Sequence, residues 1–344
     1  MQAAVLHDVN NLSLTRVPVP EPGPGEVLLK VEANTICGTD LRIISGAKTS
    51  GVRPGVVMGH EFAGRIEAIG EGVEGVRVGQ QATCSIVVSC NRCRNCLSGR
   101  EHLCENLVLF GYALDGGLAE YLLVPKQAMD NGNLVVVDQE LPATALALAE
   151  PVSCCLNGAR QVNVRPGDSV VVLGTGPIGL LHVALAELAG ATKIFASGRP
   201  GRLDPALELG ATEAFDLTGQ ALTDEVRRRT GGAGADVVIV AVGDLALANQ
   251  ALELAGIGGR VNYFAGFPKG STTTTDPNLI HYNELVVTGG SNARRADVVQ
   301  AVELLSSGRL DVSSVVSHTF GLGEVDAAME AVKQRQGLKI AVTP

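Results

Sequence analysis

Four cysteines fall within fifteen residues, as Cys90-x2-Cys93-x2-Cys96-x7-Cys104. Four thiolates so close in sequence can surround one tetrahedral ion, the arrangement zinc prefers in closed structural sites. Asn91, Arg92, Arg94, Asn95 and Gly99 suit a tight loop, and the arginines offset thiolate charge. An iron–sulfur cluster shares the first two spacings. There, however, the fourth cysteine usually comes after three residues and precedes a proline. Here it comes after seven and precedes Glu105. The expectation is structural zinc, with iron–sulfur and free thiols as alternatives. Cys84, Cys154 and Cys155 read as small buried hydrophobes.

A second set is scattered: Cys37-Gly38-Thr39-Asp40, Gly59-His60-Glu61 and Glu150-Pro151. Together these offer one thiolate, one imidazole and two carboxylates. That set fits a catalytic zinc, which keeps one position open for water or substrate. Singly, each residue has an ordinary reading: a packed cysteine, a turn-capping Asp40, a solvated glutamate at a helix end. Spacing alone does not bring distant residues together.

The third stretch is Ser169–Leu173, then Gly174-Thr175-Gly176-Pro177-Ile178-Gly179, then an Ala/Leu-rich segment ending at Gly190. It reads as strand, glycine turn and helix. In a dinucleotide site the first glycine permits the turn and the second admits the pyrophosphate. The third lets the helix sit close to the strand. The helix start then offers free N–H groups to phosphate. The chain is glycine-rich, 42 of 344 residues, so the motif counts only because of its strand–loop–helix context.

Residues 1–125 alternate short apolar strands with irregular loops, as in Gln2–Leu6, Leu12–Arg16, Glu26–Ala33, Glu61–Ile69, Gln81–Val88 and Gly116–Val124. From Ser169 onward strands alternate with helices, which predicts a doubly wound parallel sheet. The predicted strands are 169–173, 193–197, 236–241, 260–264 and 285–288. Helices are expected at 178–189, 202–209 and 245–255. The expected α/β architecture is two domains: residues 1–151 with 291–344, carrying a cysteine lobe at about 88–106, and residues 152–290. A formal charge of −9 argues against nucleic acid or an anionic membrane as partner. No apolar run reaches 18 residues. A cytoplasmic protein with reduced cysteines is expected.

These motifs, with Asp115-Gly-Gly-Leu-Ala-Glu120, occur in an order that resembles the zinc-dependent medium-chain dehydrogenases, on the sorbitol (polyol) and threonine dehydrogenase side. The resemblance covers nearly the whole chain. It implies a GroES-like catalytic domain, a Rossmann domain and an active site in the cleft between them. It makes Cys37, His60 and Glu61 the catalytic zinc ligands, with Glu150 beside the metal, ligating directly or through water. Thr39 matches the hydroxyl that passes on the substrate proton. Asp40 matches the carboxylate that orients the histidine. The family often has a histidine three residues after that threonine; this chain has Arg42, which cannot act as a base.

The resemblance further implies hydride transfer between a secondary alcohol and NAD(P), with two zinc ions per chain, by a homodimer or homotetramer. A polyol or sugar-derived alcohol is the expected substrate, given Asn262–Gly270 and Asn278–Glu284. A threonine dehydrogenase or general secondary alcohol dehydrogenase is the alternative. A non-catalytic NAD(P)H-binding protein is the remaining one. In NAD sites an acid at the end of the second strand binds the ribose 2′-OH. Gly198 stands there, between Ser197 and Arg199, with Arg202 close by. Gly198 presents no carboxylate and leaves space, so a 2′-phosphate would meet positive charge and the Ser197 hydroxyl, and a preference for NADP over NAD is expected. In the ordinary reading both arginines are solvated.

Overall fold

A computed structural model describes residues 1–344. Contacts divide the chain into two units, Met1–Ser153 with Asn292–Pro344, and Cys154–Ser291.

The first unit is built on a seven-stranded sheet. Its strands run in the order Leu134–Val136, Gln81–Cys84, Glu61–Ile69, Val27–Thr35, Lys339–Thr343 and Val316–Gly321, with Tyr121–Val124 also paired to Val27–Thr35. The C-terminal strand joins it through Ala341 and Val342, opposite Thr35 and Asn34. The tail therefore completes the first sheet. Apolar clusters fill this unit, two of them large. One centres on Ile36, Met58, Leu118 and Ile340, the other on Leu29, Phe62, Ile66 and Phe110. The expected strand Gly116–Val124 begins only at Tyr121. Before it, Asp115–Gly117 is held by backbone contact with Gly59: a Cβ on Gly116 would lie 1.9 Å from the Gly59 carbonyl oxygen. Asp115 also accepts from the Val57 N–H. The run Gln81–Val88 likewise splits, into Gln81–Cys84 and Val87–Val88.

The second unit is a six-stranded parallel sheet. Its order is Glu213–Phe215, Lys193–Ser197, Ser169–Leu173, Ala235–Val240, Ala255–Tyr263, Val286–Gly289. From the central strand Ser169–Leu173 the chain first winds to one side, then crosses to the other. Ligands in such sheets bind at that reversal, outside the carboxyl ends of the strands. The run Val170–Leu173 is fully buried, as a strand covered on both faces must be. No helix is long and apolar enough to cross a membrane.

The helix Pro177–Leu188 carries a histidine of unusual placement. His182 is buried, its ring sits edge-on 4.5 Å from Phe264, and neither ring nitrogen has a partner. Burial without a partner opposes the charged form and pulls its pKa down to about 3. The unfolded chain, with an ordinary value near 6.5, binds the proton more readily. Stability from this group is thus fully present above about pH 6.5 and is lost as pH falls towards 3. The stability difference between wild type and His182→Leu should change by about 1.4 kcal/mol per pH unit below pH 6 in denaturant titrations. A difference independent of pH would contradict this.

Candidate metal and cofactor sites

The four-cysteine lobe is short-ranged structure throughout. Val87–Val88 pairs with Val108–Leu109, and between them lie a helical turn, Arg94–Leu97, and a tighter one, Glu101–Leu103. The sulfurs of Cys93 and Cys96 are 3.5 Å apart, those of Cys90 and Cys104 also 3.5 Å, and those of Cys93 and Cys104 3.9 Å. A tetrahedron of sulfurs bonded to zinc at 2.3 Å has edges of about 3.8 Å. The donor set therefore fits the ion. Backbone N–H groups prepare it: Cys104 Sγ accepts from the N–H groups of Cys90 and Asn106, each at 3.3 Å. The Arg92 backbone N–H, chiefly, draws the Cys90 thiol down to about 6. Burial pushes Cys104 up to about 12. The lobe is tied to its unit by Arg295, whose N–H meets Glu101 at 3.0 Å and whose guanidinium meets Ser89 at 3.1 Å. Of the other cysteines, Cys84 and Cys155 are buried and Cys154 is half-buried; all eight are free thiols.

The second set converges. The donor atoms of Cys37, His60 and Glu61 lie within 4.8 Å of one another. Three elements position them. Cys37 caps the helix Gly38–Ile44, and its N–H donates to the Asp40 carboxylate at 2.9 Å. The second oxygen of Asp40 accepts from His60 Nδ1 at 3.1 Å. One buried carboxylate thus fixes both the thiol's helix turn and the imidazole. Burial works against the charged imidazole, but Asp40, with Cys37 and Tyr112, outweighs it and raises His60 above its usual range. Glu61 opens the strand Glu61–Ile69, opposite Thr35.

Sequence reasoning missed two partners of Glu61. Thr35 donates its hydroxyl to the carboxylate, and Lys339 Nζ lies 2.6 Å from it. Lys339 and Glu61 are both buried. Burial opposes the ammonium, yet Glu61, then Cys37, raise Lys339 above its ordinary value. A lysine inside the apolar run Leu338–Val342 was the available signal. Tyr112 was missed as well. It is buried, its ring lies 5.4 Å from that of His60, and the Lys48 ammonium stands 5.4 Å over it.

Glu150 begins the helix Ala149–Val162 and lies outside the three-residue group, though near enough to act on Tyr112 and Lys339. Thr39 is half-buried and Arg42, one turn further, is exposed.

In the second unit the strand Ser169–Leu173 leads through Gly174 at φ +102° into the helix Pro177–Leu188. A Cβ on Gly179 would lie 1.7 Å from the Gly174 carbonyl oxygen, so this closure requires glycine. Gly176 caps the helix without a side-chain bond, which leaves the first N–H groups for a phosphate. Arg202 Nη1 lies 3.6 Å from where a Gly176 Cβ would stand, so its guanidinium borders the loop. Arg199 is exposed. Ser197 departs from expectation. Its hydroxyl is buried and donates to the Leu217 carbonyl at 2.7 Å, so it has no proton left for a cofactor phosphate. Gly198 departs too: the room beside it is filled by Thr175.

The family model for the alcohol dehydrogenase GroES-like domain matches residues 23–131, and that for zinc-binding dehydrogenases matches residues 177–307. The chain belongs to the zinc-dependent medium-chain dehydrogenase family. It is an NAD(P)-dependent oxidoreductase of secondary alcohols. It is 34% identical over 337 residues to an L-threonine 3-dehydrogenase of Caldanaerobacter subterraneus subsp. tengcongensis, covering 96% of this chain and 95% of that protein. It is 30% identical to a sorbitol dehydrogenase of Halalkalibacterium halodurans, covering 98% and 97%. A zinc-binding dehydrogenase structure from Sinorhizobium meliloti, bound to NADP, superposes with a TM-score of 0.91 at 33% identity, covering 100% of this chain and 99% of that one.

Proposed function

We propose that this dehydrogenase oxidises a secondary alcohol of a polyol or sugar-derived substrate, prefers NADP to NAD, and holds two zinc ions. The observation that carries the reading is the convergence of Cys37, His60 and Glu61 around one point, with Asp40 holding the imidazole. When bound, zinc supplies a Lewis acid for the alcohol oxygen, and NAD(P) supplies the hydride acceptor. The chain's own residues do the rest. Asp40 accepts from Nδ1 of His60 and so leaves the other ring nitrogen for the metal. Lys339 and Thr35 fix the Glu61 carboxylate. Glu150, set apart from the three-residue group, would reach a bound metal through water. Thr39 accepts the substrate proton at Oγ1 as it gives up its own hydroxyl proton. Arg42 cannot accept it onward, so the proton leaves to solvent. Tyr112 walls the site and keeps water off the His60 ring.

NADP preference is supported by the missing acid at position 198, by Arg202 beside the glycine loop, by exposed Arg199, and by the NADP-bound neighbour. A homo-oligomer is supported by the outer strand of the parallel sheet. There Val286 is 51% exposed, and nearby Ile257 and Tyr282 are 84% and 75% exposed. An apolar, unpaired sheet edge of this kind invites a partner. Light scattering should return a dimer or tetramer; a monomer would refute it. A cytoplasmic setting is supported by the eight free thiols, and cell fractionation tests it.

Lys48 favours a second reading. Its ammonium stands over Tyr112 without a carboxylate partner, and would suit a substrate carrying its own carboxylate, as threonine does. Steady-state kcat/KM for polyols, sugars, simple secondary alcohols and threonine, each with both cofactors, tests these assignments. Highest values with a polyol and NADP support the first reading. A clear lead for threonine supports the second, and no turnover with any alcohol refutes both.

The four-cysteine lobe carries its own expectation. Cys96→Ser should remove one zinc per chain and lower the melting temperature, because metal binding there contributes to folding. Unchanged zinc content and melting would contradict the assignment.

A further inference from the structure

The end of the second parallel strand is where NAD sites carry an acid. Here the seat of that side chain is occupied. A Cβ on Gly198 would lie 1.7 Å from Thr175 Oγ1, 2.6 Å from Thr175 Cβ and 2.7 Å from Thr175 Cγ2. Its three nearest neighbours thus all belong to one residue. Neither backbone is free to retreat. Gly174 N–H donates to the Ser197 carbonyl at 2.8 Å, and Gly198 N–H donates to the Phe215 carbonyl at 3.0 Å. Ser197 is in register with Leu173 on one side and Phe215 on the other. The Thr175 hydroxyl is itself buried without a hydrogen-bond partner, although an unpaired buried polar group costs stability. Packing alone would be served as well by valine. The cradle fits a cofactor whose ribose end is met by a neutral hydroxyl and by Arg202, and not by a carboxylate.

We propose that Thr175 and Gly198 form one specificity-determining unit, in which the Thr175 side chain takes the volume of the ribose-binding acid and locks the site against conversion to NAD by a change at position 198 alone. The inference rests on the reading that the adenosine end of NAD(P) lies at this strand end. It deepens that reading by naming a residue inside the glycine loop as a determinant of cofactor choice. Gly198→Asp by itself places its Cβ against the Thr175 side chain. Thr175→Ala leaves one contact at 2.6 Å, whereas Thr175→Gly removes all three.

The test is a double-mutant cycle read by cofactor affinity and by melting. NADPH and NADH affinities are measured for wild type, Gly198→Asp, Thr175→Gly and the pair. Gly198→Asp alone should lower the melting temperature and weaken both cofactors at least tenfold. The pair should recover the melting temperature relative to Gly198→Asp. It should also shift the NADH-to-NADPH affinity ratio at least a hundredfold towards NADH. Gly198→Ala, with and without Thr175→Gly, reads the same coupling if the aspartate variants do not fold: alanine alone should destabilise, and the pair should recover. Additive effects would overturn the proposal, as would a Gly198→Asp enzyme that melts like wild type and favours NADH. A wild type that prefers NAD would refute the NADP assignment while leaving the coupling between the two positions to stand or fall on the cycle.

Discussion

Lys339→Met is expected to cost about 3–5 kcal/mol of stability, the range for removing one member of a buried ion pair. Lys339 and Glu61 are 5% and 1% exposed, and their charged atoms lie 2.6 Å apart. In metal-free protein, where no zinc offsets it, the substitution leaves the Glu61 carboxylate in a low-dielectric interior with the Thr35 hydroxyl against it. The cost is that of an uncompensated charge, and it should fall sharply when the charge goes too. Lys339→Met combined with Glu61→Gln should therefore be more stable than Lys339→Met alone. Chemical denaturation of the three variants checks this. A loss below about 1 kcal/mol for Lys339→Met, or no recovery in the double variant, would mean that the pair is not coupled.

Cys37→Ala and His60→Ala should each lower kcat by at least about a thousandfold, since each removes a donor from the group proposed to hold the metal. NADPH binding should persist, because the glycine loop belongs to the other unit, Cys154–Ser291. Asp40→Asn is predicted to be intermediate. Loss of a residue that orients a metal-binding histidine typically costs about 10–100-fold in metal affinity or activity. Glu150→Ala should be milder than Cys37→Ala, in keeping with its place outside the three-residue group. Near-normal kcat in either Cys37→Ala or His60→Ala would remove that residue from the proposed ligand set.

Much of the second unit was legible because its signals are local. The strand Ser169–Leu173 and the helix after the glycine turn follow from a buried β-branched run and from Gly190 as a stop. The strand Glu213–Phe215 and the helix Gly219–Arg229 were not read. The strand is three residues long, and the helix is mostly polar or charged, with only Leu222, Thr223 and Val226 buried. In the first unit, single residues could be chosen from the sequence, but their convergence could not. Asp40 was legible through the resemblance, which makes it the carboxylate that orients the histidine. Lys339 was not, because its partner lies 278 residues away and the pairing exists only once the last strand joins the sheet. Space was the hardest property to foresee. Gly198 reads as an opening in the sequence, yet a neighbouring loop fills it.

Alcohol oxidation is proposed to depend on a metal held by Cys37, His60 and Glu61. Zinc content per chain, measured on purified wild type and on Cys37→Ala, tests this most directly. The expected result is two zinc ions in the wild type and one in the variant, with alcohol oxidation lost and the fold retained. Equal zinc content in the two proteins, with oxidation undiminished, would contradict it.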